Sequence, residues 1–459
     1  MSKIRTTLLI VAAGIFCTAA TAQTTVDVPL SEARAIAAQA LVGGEPALAL
    51  QIAQAILAQA PDDRAALIVV AAAAPQLGDA TAGRRAGARA WAVSQSDAQK
   101  YEAARLTALA AANEERFTLA TFWLRRALTV APNAQERART LTDARGVSRV
   151  NPWATQLSFS LVPSSNLNGG AEDETSSAPG NPTGTLSEDA LALAGWRASL
   201  GIGTQYRLQE AQTSRTTVGL RYQLARVRIT DDTNIPDEAF ATDYYNLSLR
   251  HDRVLENGTL TLRASRGLFE YRDLDLSGGT TSYENYDIWR LGVDRRVALN
   301  DRTLLSLSAS REWLSYLATT IGDVDRLTIS GGATYRLDDG DRISGTVSVV
   351  DSDSENVNYT SQSLTLSGVY RWAEPIGPVT LAAGGGLKWS DYPQYRLLSA
   401  VTGGRQDTMV FANADIGFPD ISYAGFTPGL RIDVSRTDSN VSRFDRTTVS
   451  AGLTISSQF

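Results

Sequence analysis

Residues 449–456 read Val-Ser-Ala-Gly-Leu-Thr-Ile-Ser, and this stretch decides the fold class. Apolar side chains alternate with small or polar ones throughout the stretch. Because successive side chains of a β-strand point to opposite faces, the pattern predicts a strand with one apolar and one polar face. Such an apolar face packs against a second sheet in a sandwich, or against lipid in an outer-membrane barrel. The choice between them depends on how the pattern continues along the chain.

The same pattern recurs from residue 150 onwards. Stretches of this kind predict 14 strands, near 153–162, 193–209, 214–230, 240–255, 258–272, 283–299, 302–318, 324–338, 341–351, 358–373, 378–392, 405–418, 424–437 and 442–459. Tight connections at 256–258, 300–301, 338–340 and 374–378 largely alternate with longer ones, at 163–192, 231–239, 273–282, 352–357 and 393–404. Short periplasmic turns and longer external loops are typical of outer-membrane barrels. Because an open sheet edge does not persist in lipid, residues 150–459 are predicted to form a closed antiparallel transmembrane β-barrel of about 14 strands.

Residues 23–149 show a different period. Gly44, Gly78 and Asn113 lie 34 and 35 residues apart, and an Ala- and Leu-rich amphipathic segment follows each of them. This period predicts an α-helical domain of tetratricopeptide-like repeats, with an irregular helical bundle as the alternative. The whole chain is therefore predicted to be an α + β multidomain protein. A short solenoid has an open concave face that suits peptides or proteins, and an even number of strands predicts this domain on the periplasmic side.

The N-terminus has the pattern of a secretory signal. Lys3 and Arg5 precede an apolar run over residues 8–20, and a small-residue cleavage site ends at Ala22. We therefore predict a signal peptide over residues 1–22. Cys17 offers an alternative lipoprotein interpretation, but the bulky residue before it is not typical of a lipobox. Cleavage after Ala22 would leave a mature chain without cysteine, and so without disulfides, thiolate metal sites or cysteine nucleophiles.

Charged residues lie within several predicted strands. With 43 Lys+Arg, 49 Asp+Glu and a net charge of −6, the chain shows no sign of a nucleic-acid partner. Burying strand charges in lipid is costly, so they predict a polar, wet lumen. They are Arg221, Arg250, Arg263, Arg290, Arg295, Arg431 and Asp433. Aromatic residues at predicted strand ends are expected to include interfacial girdles, with ordinary strand formers as the alternative. They are Trp153, Trp289, Trp313, Trp372, Trp389, Tyr244, Tyr245, Tyr316 and Tyr392.

Little in the sequence indicates catalysis or a bound metal. His251 is the single histidine, and a Ser-His hydrolase would need a serine and an orienting group gathered around it. Its place beside Leu247 and Leu249 favours an interfacial histidine instead. Residues 338–341 read Asp-Asp-Gly-Asp, which is compatible with a calcium loop but is also an ordinary tight turn. We therefore predict a protein that is not an enzyme and has no cofactor.

The start of the barrel is the most specific stretch. Residues 151–170 read Asn-Pro-Trp-Ala-Thr-Gln-Leu-Ser-Phe-Ser-Leu-Val-Pro-Ser-Ser-Asn-Leu-Asn-Gly-Gly. This stretch resembles the barrel start of the surface lipoprotein assembly modifier family, in which a tetratricopeptide domain precedes a Pro-Trp strand and a Pro-Ser-x-Asn-x-Asn loop. The residues that carry the likeness, here named the barrel-start motif, are Asn151, Pro152, Trp153, Pro163, Ser164, Asn166 and Asn168. A terminal Phe459 resembles the signal that the barrel assembly machinery recognises. The Ala-rich, degenerate repeats depart from the family pattern.

The resemblance implies a function in protein transport. Family members lie in the outer membrane and help particular lipoproteins, or related soluble binding proteins, to reach the cell surface. The implied partners are a client lipoprotein or secreted protein, the barrel assembly machinery and outer-membrane lipids. Two alternatives remain. One is a porin or diffusion channel with an accessory domain, and the other is an exopolysaccharide export barrel, a class in which a repeat scaffold also precedes a barrel.

Overall fold

The computed structural model describes residues 28–271, 285–317 and 321–457. The predicted signal peptide over residues 1–22, Cys17 and Phe459 lie outside the described residues. The described chain divides into two units. The helical unit comprises the residues up to Asn151 together with Tyr423–Gly425, and the barrel unit comprises Pro152–Ser422 and Phe426–Ser457.

Seven helices form the helical unit. They are α1 (Leu30–Val42), α2 (Pro46–Gln59), α3 (Arg64–Gln76), α4 (Ala80–Ala92), α5 (Asp97–Asn113), α6 (Phe117–Thr129) and α7 (Ala134–Val150). The even-numbered helices follow Gly44, Gly78 and Asn113, where the sequence predicted segment starts. Gly44 and Gly78 have φ near +81° and +89°, a conformation that glycine adopts without strain. The unit therefore consists of three helix–turn–helix pairs and a final helix. Its assignment to tetratricopeptide repeats stays a prediction.

Alanine fills the centre of the helical unit. Ala53, Ala74 and Ala103 have no exposed surface. Side chains this small allow helices to approach closely. At Gly87, for example, an added Cβ would lie 2.3 Å from Oγ1 of Thr107. Tight packing of this kind removes apolar surface from water without large side chains.

The barrel unit is a closed antiparallel barrel of 14 strands, as the sequence predicted. The barrel strands are β1 (Trp153–Ser164), β4 (Gly195–Ala211), β5 (Ser214–Ile229), β6 (Thr242–Leu255), β7 (Gly258–Tyr271), β8 (Tyr286–Ala298), β9 (Thr303–Tyr316), β10 (Asp323–Arg336), β11 (Arg342–Ser354), β12 (Ser361–Arg371), β13 (Thr380–Tyr392), β14 (Arg405–Gly417), β15 (Phe426–Ser439) and β16 (Arg446–Ser457). The first long connection holds a separate hairpin, β2 (Thr175–Ala178) and β3 (Asn181–Thr185), which the sequence did not predict.

The barrel wall has an apolar outside and a polar inside. Large apolar side chains alternate along the strands and remain exposed on the outer face. They include Leu157, Phe159, Leu200, Ile202, Leu220, Leu247, Leu249, Leu291, Leu307, Ile329, Val347, Val349, Val410, Leu453 and Ile455. Register partners such as Leu220 and Leu247, or Val347 and Leu366, continue this face from strand to strand. Such an outer wall is stable in lipid, which supports an outer-membrane location.

The two ends of the barrel differ in their connections. At the end where β1 begins, the connections are 212–213, 256–257, 299–302, 337–341, 372–379 and 418–425. At the opposite end they are 165–194, 230–241, 272–285, 317–322, 355–360, 393–404 and 440–445. We name these the turn end and the loop end. The predicted alternation of short and longer connections is confirmed by this arrangement.

The contact that closes the barrel is short. β1 pairs with β4 from Trp153 to Ser164, whereas its pairing with β16 is confined to Phe159, Ser160, Leu161 and Ser164. Pro163 interrupts the β16 ladder because proline has no N–H to donate. The sequence assigned Pro163 and Ser164 to a loop, but they are the last residues of the strand.

Candidate functional site: the barrel lumen and the loop end

The lumen is lined by small and polar side chains where β1, β4, β5 and β6 meet. A recess of about 330 Å³ lies there. Among the residues that line it are Gln156, Ser158, Gly201, Gly203, Gln205, Gly219, Arg221, Asn246 and Ser248. The glycines have no side chains to fill the recess, and the amides and hydroxyls around it supply hydrogen-bonding groups. This part of the lumen can therefore hold water and polar solutes.

Ion pairs follow the inner wall from strand to strand. Glu312 on β9 contacts Arg290 on β8, and its Oε2 lies 3.4 Å from Nη1 of Arg326 on β10. The three residues are register partners, so one carboxylate lies between two guanidinium groups. Asp252 accepts hydrogen bonds from Arg250 at 2.8 Å and from the Thr261 hydroxyl at 2.6 Å. The predicted wet lumen is consistent with these inward charges.

Further along the wall, Arg431 lies between two carboxylates. Its guanidinium is 3.3 Å from Asp415 and 3.0 Å from Asp433. Arg295 is the exception among the predicted lumen charges. Its register partner Leu307 lies on the outer wall, and Arg295 donates to the Asn257 side chain near the turn end. At the edge of the membrane a long side chain can reach water, so an outward arginine is tolerated there.

Arg405 occupies an aromatic cage at the loop end. Its guanidinium carbon lies 3.3 Å from the ring centre of Phe444 and 4.1 Å from that of Tyr392. Asp407 pairs with it at 2.6 Å, and both charged side chains are about nine-tenths covered. Burial raises the pKa of the nearby Tyr395 hydroxyl above its ordinary value. The cage thus joins β14 to the connections at 393–404 and 440–445.

Asn166 and Asn168 of the barrel-start motif fold the first long connection. The Asn166 side chain donates to the Gly170 carbonyl and accepts from its N–H, both at 2.9 Å. Asn168 donates to the Leu191 carbonyl at 2.7 Å and accepts from the Leu193 N–H at 3.1 Å. The two side-chain amides thus form the hydrogen bonds to backbone groups that a neighbouring strand would otherwise form, near both ends of the connection. The motif therefore fixes where the connection leaves and rejoins the wall.

The remaining motif residues have structural contacts of other kinds. Asn151 ends α7, and its amide donates to the Thr118 hydroxyl at 3.3 Å. The Pro152 carbonyl accepts from the Arg207 N–H at 2.9 Å. Trp153 packs on Tyr206 on the outer wall, with ring centres 4.7 Å apart. Ser164 exchanges hydrogen bonds with the backbone of Asn166. The motif is thus divided among the helix end, the outer wall and the first loop.

Connections at the loop end are fastened to one another. The β2–β3 hairpin reaches residues 399–402, where the Thr402 N–H donates to the Pro179 carbonyl at 2.9 Å. The Ser177 N–H donates to the Ser442 hydroxyl at 2.9 Å. Asn358 and the backbone of Arg396 exchange two hydrogen bonds, at 2.7 and 3.0 Å. Hydrogen bonds therefore join four connections from separate strand pairs to one another.

Aromatic residues at the strand ends point both ways. Trp289, Trp313, Trp389 and Tyr245 are exposed on the outer wall, as a girdle requires. Tyr244, Tyr316 and Tyr392 face the lumen instead. Tyr316 packs against Tyr286 with ring centres 4.9 Å apart and the rings tilted, next to buried Ile288, Leu314 and Val324. The sequence could not separate the outward from the inward aromatics, because aromatic residues near a strand end are compatible with either face of the strand.

His251 and the turn at residues 338–341 are the sequence-predicted candidates for catalysis and metal binding. His251 lies on the outer wall, and its Nδ1 is 2.9 Å from the Thr216 hydroxyl. In the turn at residues 338–341, Asp341 accepts from the Ala373 N–H and the Tyr370 hydroxyl, while Asp338 pairs with Arg302. Among the described residues, no group of three or more His, Cys, Asp or Glu side chains is placed to hold a metal ion. Within the same residues, no helix has both the length and the apolar character that a membrane crossing requires.

Solved structures of outer-membrane proteins resemble the chain at low identity. Pseudomonas putida OprB is 12% identical, with 70% of this chain and 96% of OprB covered and a TM-score of 0.39. A bacterial polysaccharide outer membrane secretin is 12% identical, covering 66% and 98%, with a TM-score of 0.34. A loop-deletion mutant of Vibrio cholerae OmpT is 9% identical, covering 67% and 99%, with a TM-score of 0.32. No family model and no curated protein sequence matches the chain.

Proposed function

We propose that the protein is an outer-membrane passage whose helical unit receives a client in the periplasm. One observation carries the proposal: a closed barrel with an apolar outer wall encloses an inner wall that carries polar and charged side chains. Lipid can contact the apolar outer wall, and water or a polar cargo can hydrogen-bond to the inner wall. The turn end would face the periplasm, and the fastened loop end would face outside.

The helical unit supplies surface for a client. Apolar side chains stay exposed on several of its helices, including Ile36, Leu109 and Phe122. Phe122 lies beside Trp123, and the Arg126 guanidinium lies 5.3 Å from its ring centre. Exposed apolar residues framed by arginine are typical of protein-binding surfaces. The resemblance at the barrel-start motif gives the client class: a lipoprotein or a related secreted protein carried to the cell surface.

The proposal is tested in cells with and without the gene. Candidate lipoproteins are labelled at the surface, and the full-length gene, a 23–149 deletion and a Leu109→Ser/Phe122→Ser variant are each returned. We expect full-length protein to restore labelling of a client and both variants to lose it while the barrel still inserts. Glu115→Gln, at an exposed polar position in the turn between α5 and α6, is the control. Equal labelling of every lipoprotein without the gene would remove the proposal.

A diffusion channel is the second candidate, and the polar recess beside Arg221 favours it. In this case the barrel would pass small solutes without a client, and the helical unit would be accessory. Steady ion conductance after deletion of residues 23–149, with unchanged lipoprotein display, would favour this candidate. Export of an exopolysaccharide remains an alternative prediction, which accumulation of polymer in the periplasm of the deletion strain would support.

A further inference from the structure

Three arginines form a row on the inner wall at the turn end. Arg336 ends β10, Arg342 begins β11 and Arg371 ends β12. Arg336 is the register partner of Arg342, and Arg342 is the register partner of Arg371. Their strands carry hydroxyls on the same face, as the 2.9 Å contact between Thr334 and Ser344 shows. The row therefore lies on the lumen side, and all three residues are exposed.

No acid neutralises this row within the part of the chain that the structure describes. Three acids lie in the turn at 337–341. Asp338 lies 2.5 Å from Arg302, Asp341 bonds to Tyr370 and to the Ala373 N–H, and Asp339 accepts from the Asp341 N–H. Like charges directly opposite each other on neighbouring strands destabilise a sheet. An anion lying among the guanidinium groups would remove that repulsion and gain bidentate hydrogen bonds.

The rest of the inner wall shares the imbalance. Strand register places more than twice as many cations as acids on this face. The inward cations are Arg197, Arg207, Arg215, Arg221, Arg250, Arg263, Arg290, Arg296, Arg326, Arg336, Arg342, Arg371, Lys388, Arg405, Arg431 and Arg446. The inward acids are Glu210, Asp252, Asp294, Glu312, Asp407, Asp415 and Asp433.

Every one of these inward acids already pairs with an arginine. The pairs include Glu210 with Arg215 at 2.8 Å and Asp294 with Arg263 at 3.0 Å. The excess is therefore cationic, although the whole chain carries a net charge of −6. A cleft lined by one sign of charge between low-dielectric walls concentrates ions of the opposite sign.

We infer that the lumen selects anions, and that Arg336, Arg342 and Arg371 form the site where carboxylate- or phosphate-bearing solutes bind at the turn end. The inference rests on the proposed passage through the barrel. Planar guanidinium groups in a row match the oxygen pairs of carboxylates and phosphates, whereas a cation would be repelled by them. The ion pairs deeper in the wall leave this row as the most strongly unbalanced group at that end.

The test uses the purified full-length protein in planar bilayers under a KCl gradient. We expect a reversal potential that favours chloride, and a chloride current that falls when inorganic phosphate is added. In Arg336→Gln/Arg342→Gln/Arg371→Gln, the chloride-to-potassium permeability ratio should fall towards one and phosphate should lose its effect. Arg253→Gln/Arg295→Gln/Arg436→Gln removes as many cations from the outer wall and should change neither result.

Cation preference, absence of conductance or an unaltered ratio in the inner-wall variant would overturn the inference. Heat-modifiable migration of each variant in gels shows whether its barrel is folded. A barrel that displays its client without conducting anions would overturn this inference and leave the proposed function intact. Anion selectivity without any client would do the reverse.

Discussion

The helical unit and the barrel bury opposite kinds of side chain. In the helical unit, residues such as Ala53 and Ile56 are fully buried, while arginines and glutamates cover the outside. In the barrel, leucines such as Leu307 and Leu453 are more than half exposed on the outer face, and ion pairs such as Arg290 with Glu312 lie on the inner wall. The difference shows that the surrounding solvent decides where apolar residues lie. In the helical unit they are buried away from water, and in the barrel they face outward, as contact with lipid requires.

Small residues have different uses in the two regions. Alanines and Gly87 bring helices together in a dry interior. In the barrel, glycines such as Gly201 and Gly219 keep a wet interior open. A sequence rich in small residues therefore does not by itself indicate one structure. The period of its apolar residues distinguishes a helical interior from a barrel wall.

The largest expected effect comes from a charge on the outer wall. Leu453→Arg should destabilise the barrel by about 2–4 kcal/mol in a lipid bilayer, because lipid cannot solvate the guanidinium. Thr454→Arg, one residue along on the lumen face, should cost far less. Urea unfolding in liposomes measures both. Equal losses for the two variants would contradict the inverted arrangement of the barrel.

Overpacking of the alanine core is the next effect. Ala53→Leu should cost the helical unit about 1–3 kcal/mol, since a fully buried site in contact with neighbouring helices has no room for the added atoms. The matched variant Ala451→Leu adds the same atoms to the exposed outer wall of β16 and should be neutral. Thermal unfolding of the full-length protein, followed by helical circular dichroism in micelles, distinguishes them. A neutral Ala53→Leu would show that the core is loosely packed.

A smaller, local effect is expected at the first loop. Asn168→Ala removes the amide that joins both sides of the connection at 165–194, so opening of this loop should become easier by about 1–2 kcal/mol. Limited proteolysis should then cut within the loop while the strands stay intact. Asn356→Ala, in a different loop-end connection, is the control. Unchanged cleavage would mean that the β2–β3 hairpin alone holds the loop.

The smallest effect is a pH dependence at the loop end. Burial raises the pKa of Asp445 above its ordinary 3.8, although the Ser439 N–H acts in the opposite direction. Because the folded-state pKa is raised, the stabilising contribution is complete below 3.8 and is lost as pH rises through the raised value. Asp445→Asn should remove this dependence, which melting temperatures measured at a series of pH values from below 3.8 upwards would show. Asp438→Asn removes a nearby like charge that adds to the shift, so it should weaken the dependence without abolishing it, because burial is the largest cause.

Local patterns predicted much of the architecture. All 14 barrel strands and the alternation of their connections follow from period-two alternation and turn residues, which act over a few neighbouring positions. The helix starts after Gly44 and Gly78 follow for the same reason. The sequence also placed Arg431 and Asp433 in the lumen, because Leu430 and Ile432 beside them needed the other face.

Other features depended on residues far apart in the chain. The β2–β3 hairpin, the fastening of residues 399–402 to Pro179 and the cage around Arg405 have no local signal. The inward direction of Tyr316 and the outward direction of Arg295 also escaped prediction. Near a strand end a side chain can face the lumen or the outside, and its contacts with neighbouring strands or loops decide which.

By itself, the sequence determined that this chain has a helical part, 14 alternating strands and two unlike sets of connections, since helix, strand and turn preferences are set by nearby residues. Only the tertiary structure decided which strands meet at the short β1–β16 contact, and that Arg336, Arg342 and Arg371 share one row. Register between strands is a long-range choice: burial of the whole apolar face and closure of the barrel fix it together.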